Sequence, residues 1–166
     1  MSVERVTDTL RRMDELYRTM IVLGKEKQEA IMDNNVDALT KVMTKEARLI
    51  KKSSELDEER EQAAADFLKE KGIRSKLNLT ITEMTRLVFD LTEKQDLQLA
   101  QRQLSDTLIE LKHLNSINKD LLEQSLTFID YSLNLFMSEP EDDMVYRNPM
   151  ETAPAQKPRS FFDTRA

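Results

Sequence analysis

The sequence predicts an all-α protein: an elongated antiparallel helical bundle or coiled coil of three long helices and one short helix, followed by a disordered C-terminal tail. The chain of 166 residues has only two glycines and four prolines, and three of the prolines lie in the last eighteen residues. Charged residues make up 34% and are mixed with leucine, methionine and glutamine, which favour helices. Apolar residues recur at alternating spacings of three and four, which indicates helices packed against other helices.

The first predicted helix covers about residues 2–32. Its apolar stripe occupies six positions at heptad spacing, namely Val3, Val6, Leu10, Met13, Tyr17 and Met20. Leu16, Leu23 and Ala30 widen this stripe, as expected for a helix that contacts more than one neighbour. Residues 33–35 are Asp-Asn-Asn and predict a turn, because these side chains bond to their own backbone.

The second predicted helix covers about residues 36–71, with Asn35 as its N-cap. Its apolar seam consists of Leu39, Val42, Leu49, Leu56, Ala63 and Phe67. Three polar residues interrupt the seam at helical spacing, namely Glu46, Ser53 and Arg60. Polar seam residues lower stability but specify the register of the helices. The helix is expected to end at Lys71-Gly72-Ile73, where the glycine suits the left-handed backbone of a helix C-terminus.

Two capping patterns predict the remaining helices. Thr80-x-x-Glu83 has the form of a capping box and predicts a short helix over about residues 81–90. Thr92-x-x-Gln95 repeats the pattern, so a long last helix is expected over about residues 93–137.

From residue 121 onward, apolar side chains cover nearly the whole circumference of that last helix. One neighbouring helix cannot bury all of them, so we expect part of this surface to contact another molecule. The alternative is that the N-terminal half of the bundle folds over it.

The predicted helices form one domain over residues 1–138, and residues 139–166 are a flexible, acidic and proline-rich tail. The tail ends with two adjacent aromatic residues, Phe161 and Phe162. This pair is either a docking motif or a terminal remnant without a role.

Composition argues against several classes of function. The formal charge of −6 is spread along the chain, which argues against a nucleic-acid surface. Without cysteine and with a single histidine, the chain has neither a thiol nucleophile nor a multi-histidine zinc site. Glu110-x-x-His113 occurs once, whereas a di-iron bundle needs that motif twice, so we interpret His113 as an exposed structural residue. We therefore expect no enzyme and no cofactor.

Location follows from similar observations. The N-terminus has no signal-peptide apolar run, and no stretch approaches the length of about 20 apolar residues that a membrane span needs. The absence of cysteine fits a reducing compartment. The sequence therefore predicts a cytoplasmic protein without membrane insertion.

A segment of 25 residues, from Leu111 to Leu135, carries a more specific signal. It contains the pattern L-x-x-L-N-x-x-N-x-x-L-L followed by F-I-x-x-S-L, and the chain ends in Phe-Phe-Asp-Thr-x-Ala. With the order of the helices, these features resemble the Gram-positive branch of the FlgN-type flagellar export chaperones. The resemblance implies a cytoplasmic chaperone of the flagellar type III export system. Such a protein holds the hook-filament junction proteins FlgK and FlgL and brings them to the export gate.

The partner-binding residues expected from the apolar circumference and this resemblance are Leu114, Ile117, Asn118, Leu121, Leu122, Ser125, Phe128, Ile129, Tyr131, Ser132, Leu133 and Phe136. The resemblance further implies that Tyr131 contacts the export gate. Phe161 and Phe162 are expected to dock at the gate or to occupy the groove when no partner is bound.

Three other readings stay open. The same apolar face can support a structural coiled-coil homodimer, and a homo-oligomer of the empty chaperone is a related case. A chaperone for an unrelated secreted substrate is the second alternative, and an enzyme built on a degenerate metal bundle is the third.

Overall fold

The computed structural model describes residues 2–73 and 79–137 of the chain. These residues form four helices and no strand: α1 (Ser2–Met32), α2 (Val36–Glu70), α3 (Ile81–Arg86) and α4 (Leu91–Met137). The predicted all-α class, with three long helices and one short one, is confirmed. The chain divides into two compact units, and the boundary between Asp130 and Tyr131 lies inside α4, eight residues before the predicted end of the helical domain.

Helices α1 and α2 form an antiparallel pair. The turn between them uses Asn34 in the left-handed region, with φ of 51°. The Asn35 side chain accepts a hydrogen bond of 3.0 Å from the backbone N–H of Ala38, so the predicted N-cap is present. Arg5, near the start of α1, pairs with Asp66, near the end of α2, at 2.9 Å. Lys27, near the end of α1, pairs with Glu46 in the first half of α2, so the two helices run in opposite directions.

Two of the three polar residues that interrupt the α2 seam bind partners on α1. The Glu46 carboxylate lies 2.8 Å from Lys27 Nζ, and the two side chains are only 13% and 22% exposed. The Ser53 hydroxyl lies 2.7 Å from the Tyr17 hydroxyl. Sliding one helix by a heptad would separate both pairs, so they favour this register over its neighbours.

The end of α2 agrees with its sequence signal. Gly72 has φ of +75°, and the backbone N–H of Ile73 donates to the Leu68 carbonyl at 2.9 Å. This arrangement satisfies carbonyls that the helix end leaves without an intrahelical partner. Ile73 also packs on the main core, which fixes the direction in which the chain leaves α2.

Helix α3 has the predicted capping box, in which Thr80 and Glu83 each bond to the other's backbone N–H. It ends at Arg86, four residues earlier than expected. The N–H of Leu87 bonds three residues back, to the Met84 carbonyl at 2.9 Å, which tightens the last turn.

The start of α4 is a correction to the sequence analysis. The helix begins at Leu91, and its first turn is capped by Asp90, whose carboxylate accepts 2.9 Å hydrogen bonds from the N–H groups of Thr92 and Glu93. The expected cap at Thr92 is therefore not used. An aspartate accepts such bonds as readily as a threonine, so the pattern at Thr92 alone did not decide the boundary.

The main core draws on all four helices and the residues that follow α3. Its buried members are Val3, Val6, Leu10, Met13, Leu16, Leu56, Ala63, Phe67, Leu68, Met84, Val88, Leu97, Ala100 and Leu104. A second, smaller core joins α1 to α4 through Ile21, Leu111 and Leu114.

Helix α4 runs parallel to α1. The Thr107 hydroxyl donates to the Asp14 carboxylate, 93 positions earlier, and the Asn118 amide donates to the Gly24 carbonyl, 94 positions earlier, at 2.7 Å. A constant offset between two helices means that they run in the same direction. A Cβ on Gly24 would lie 2.6 Å from Leu114 Cδ2, so the glycine permits this close approach.

Candidate protein-binding surface

Helix α4 changes from buried to exposed along its length. Its buried residues are Leu97, Ala100, Leu104, Thr107, Leu111, Leu114 and Asn118. Leu121, Leu122 and Ser125 are half-buried, and every residue from 126 to 130 is exposed. Apolar side chains remain frequent in the exposed part, where Leu126 is 53% and Ile129 is 47% exposed.

The register with α1 explains this change. The offset of 93 to 94 positions places Met32, the last residue of α1, level with residues 125 and 126 of α4. Beyond that level α1 has no residue that could cover α4. The apolar residues of α4 continue for another turn within the first unit, so they form an exposed surface.

The described part of the second unit, residues 131–137, is also helical, and all of its residues except Ser132 are exposed. Its large exposed side chains are Tyr131 at 62%, Leu133 at 51%, Leu135 at 59%, Phe136 at 88% and Met137 at 77%. Exposed apolar residues in such number are typical of surfaces that contact other molecules.

The predicted partner-binding residues fall into three groups. Phe128, Ile129, Tyr131, Leu133 and Phe136 are exposed. Ile117, Leu121, Leu122, Ser125 and Ser132 are half-buried. Leu114 and Asn118 are buried, at 8% and 2% exposure.

The burial of Leu114 and Asn118 corrects their expected role. Leu114 packs against Ile21 in the smaller core, and the Asn118 amide bonds to the Gly24 carbonyl. Both side chains therefore hold α4 on α1 and are not available to a partner. A polar seam residue can specify register against a helix of the same chain or against a helix of a partner. The sequence pattern alone does not distinguish these two cases.

Sequence reasoning missed a second exposed apolar stripe, on α2. Val36, Met43 and Ile50 follow one another at intervals of seven and are 71%, 52% and 58% exposed. The seam assigned to α2 runs beside them, so they appeared to be ordinary flanking residues. Their seven-residue spacing is the signal that could have identified a second apolar line.

The remaining predicted candidates do not contribute to this surface within the described residues. Phe161 and Phe162 lie outside the described residues. His113 is exposed, as predicted. Residues 2–73 and 79–137 contain no group of three or more histidine, aspartate and glutamate side chains placed to hold a metal ion. Within the same ranges, no helix is long and apolar enough to cross a membrane.

Comparisons with known proteins found a matching family and a similar protein. A family model described as "FlgN protein" matches residues 1–153. A protein of Bacillus subtilis (strain 168) named "Uncharacterized protein YvyG" is 25% identical over 166 residues, which covers all of both chains. No solved structure matches the chain.

Proposed function

This chain belongs to the FlgN family of flagellar export chaperones, and from that premise we propose that it binds the terminal helices of the hook-filament junction proteins FlgK and FlgL and delivers them to the export gate. It would do so in the cytoplasm, before the partners are exported. In this role the chaperone covers helical surfaces that would otherwise self-associate.

The exposed apolar end of α4 is the observation that supports this proposal. A monomeric protein rarely leaves contiguous apolar surface exposed unless another molecule covers it. Leu126 and Ile129 extend the apolar pattern of α4 past the end of α1. In the second unit, taken by itself, Leu133 and Phe136 are also exposed. An amphipathic partner helix can bury such a line with its own apolar residues at spacings of three and four.

Aromatic residues suit the anchoring positions. Phe136 is 88% exposed and Phe128 is 70% exposed, although Phe128 also makes a contact within the chain. Large aromatic side chains contribute most when a partner pocket encloses them, and they lose little conformational freedom on binding. Tyr131, at 62% exposure, is proposed as the contact to the export gate because family resemblance points to this region.

The test replaces Leu122, Ile129 and Phe136 together with glutamate in the full-length chain. Binding to a purified junction protein, measured by calorimetry, should fall at least tenfold because each glutamate would be buried without a partner charge. Circular dichroism should still show a helical protein.

A control variant places the same three charges at exposed polar positions of α4: Gln98→Glu, Gln103→Glu and Ser116→Glu. It should bind as the unmodified chain does. A loss of helix in the first variant would instead identify its residues as core. A mass that rises with concentration and falls in the first variant would favour a structural homodimer.

A further inference from the structure

Helix α3 lies against both α2 and α4 at one end of the bundle. The Gln101 amide of α4 donates to the Thr82 hydroxyl of α3 at 2.9 Å. Met84 of α3 is 1% exposed and shares the main core with Phe67 of α2 and Leu97 of α4. A short amphipathic helix is therefore seated on both long helices, with its apolar face inward.

The line of α4 that α3 contacts becomes exposed further along. Steps of seven residues from Gln101 lead to Leu108, Asn115, Leu122 and Ile129, which share one side of a helix packed in coiled-coil fashion. Leu108 is 40% exposed, Leu122 is half-buried and Ile129 is 47% exposed. The described residues thus cover this side of α4 beside α3 and leave it half-buried or exposed from Leu108 onward.

A matching line runs along α2. Ala64 is half-buried against the main core, and steps of seven residues from it lead through Asp57 to the exposed stripe of Ile50, Met43 and Val36. This line, too, starts at the core that α3 joins and becomes exposed further from α3.

Contacts with α1 place the two lines at the same level. Lys27 of α1 pairs with Glu46 of α2, and three residues earlier Gly24 of α1 accepts the hydrogen bond from Asn118 of α4. The stretch of α2 from Met43 to Ile50 is therefore level with residues near 118 on α4. We name the space between the two lines the open groove; its walls are Val36, Met43, Ile50, Leu108, Leu122 and Ile129.

The charges beside the open groove are mixed, because Asp57 lies on the α2 line itself and Asp37 follows Val36, whereas lysines flank the α4 line. Lys112 lies one turn after Leu108 on the same side of α4, and Lys119 follows it seven residues later. On α2, Lys51 follows Ile50. All three lysines are exposed. Lys119 has a nearby carboxylate, Glu123 at 3.8 Å, but exposed pairs of this kind contribute little. Lys112 and Lys119 therefore favour acidic residues on the side of the occupant that faces α4.

We propose that the open groove binds one amphipathic helix of the exported partner, in line with α3, and that α2 forms the second wall of the binding site. The inference rests on the proposed function and adds α2 to it. Continuity with the α3 contact is its main support, since α3 already occupies one end of the same space as a helix. The stretch of α4 from Leu108 to Ile129 is roughly 32 Å long at 1.5 Å per residue, so it accommodates about six turns of partner helix.

The binding test uses two single variants of the full-length chain, Met43→Glu and Ile50→Glu. Affinity for a purified hook-filament junction protein should fall at least tenfold in each, because the new charge would be buried against the partner's apolar stripe. The matched control is Val22→Glu on α1, since Val22 is 57% exposed and Met43 and Ile50 are 52% and 58% exposed. The control should retain its affinity, and the unfolding temperature of all three free proteins should stay unchanged.

A second measurement locates the partner directly. The chain has no cysteine, so Met43→Cys and Val22→Cys each provide a single attachment point for a photo-cross-linker. Met43→Cys should cross-link to an apolar helical segment of the partner, and Val22→Cys should not. Equal cross-linking at both positions, or none at Met43, would overturn the proposed second wall.

The two proposals fail in different ways. If Ile129→Glu abolishes binding while Met43→Glu does not, α2 is not a wall of the site and the proposed function stands. If the junction proteins do not bind the unmodified chain, the proposed function fails as well. If Met43→Cys cross-links to a second copy of the chaperone in the presence of partner, the open groove is a dimer contact and the inference is wrong.

Discussion

Two stretches of α4 have similar apolar patterns and different surroundings. From Leu97 to Asn118, apolar residues at spacings of three and four lie against α1 and the rest of the core. From Leu121 to Asp130 the pattern continues, yet the side chains are half-buried or exposed. The difference comes from the register between α1 and α4, because α1 ends level with residues 125 and 126. An apolar stripe thus indicates that a helix has a neighbour, while the length of that neighbour decides whether the stripe is buried within the chain.

The two stretches of α4 should differ in how much they contribute to stability and to binding. Residues of the first stretch contribute to the free energy of unfolding, because they lose their apolar surroundings when the chain unfolds. Residues 126–130 of the second stretch are exposed, so they gain less from folding. Substitutions in the two stretches should therefore affect different measurements.

The largest expected difference is between Leu97→Ala and Ile129→Ala. Leu97 is 1% exposed, so its truncation should lower the free energy of unfolding by about 2–5 kcal/mol. Ile129 is 47% exposed, and its truncation should change that free energy by no more than about 0.5 kcal/mol. Urea unfolding followed by circular dichroism measures both. Equal losses would show that the second stretch is part of the core.

A smaller effect is expected at the polar contact between α1 and α4. Thr107→Val removes the hydroxyl that donates to Asp14, and Asp14 is only 8% exposed. Leaving this carboxylate oxygen without its donor should cost about 1–3 kcal/mol in urea unfolding. The matched control is Thr127→Val, because that exposed hydroxyl only donates to the Glu123 carbonyl of its own helix, at 2.9 Å. A loss in the control as large as in Thr107→Val would contradict the proposed importance of the α1 contact.

The smallest effect concerns the capping box of α3, which covers one end of the buried region. The backbone N–H of Thr80, and then its hydroxyl, bind the Glu83 carboxylate and lower its pKa. A lowered pKa contributes stability that is present above the ordinary glutamate pKa and is lost as the pH falls through the lowered value. Thermal unfolding from neutral pH into the acid range should therefore show a weaker dependence on pH in Glu83→Gln. Identical pH profiles for the variant and the unmodified chain would rule out this role.

Much of the fold could be predicted because local signals and long-range packing agree. The turn before Asn35, the glycine stop at Gly72 and the Thr80 capping box each satisfy backbone groups with residues close in sequence. The start of α4 was misplaced because Asp90 and Thr92 are both good caps, and their competition depends on backbone geometry that sequence does not specify.

The binding surface was less predictable than the fold. Asn118 was expected to face a partner and instead bonds to Gly24, because a seam position does not reveal which helix faces it. The stripe of Val36, Met43 and Ile50 was missed for the related reason that a line beside a seam becomes visible only when the neighbouring helices are placed. Sequence periodicity identifies apolar lines, whereas the offset between α1 and α4 decides which of them remain open.

The turn at residues 33–35 has a consequence for variation within the family. Since the tip of the α1–α2 hairpin determines where α4 loses its cover, adding one heptad to each of those helices would lengthen the hairpin by about two turns and bring its tip past the level of Asp130, where the first unit ends. Removing one heptad from each helix would expose a similar additional length of α4. The length of α4 that stays exposed can therefore change through insertions and deletions at the hairpin tip, without any substitution in α4 itself.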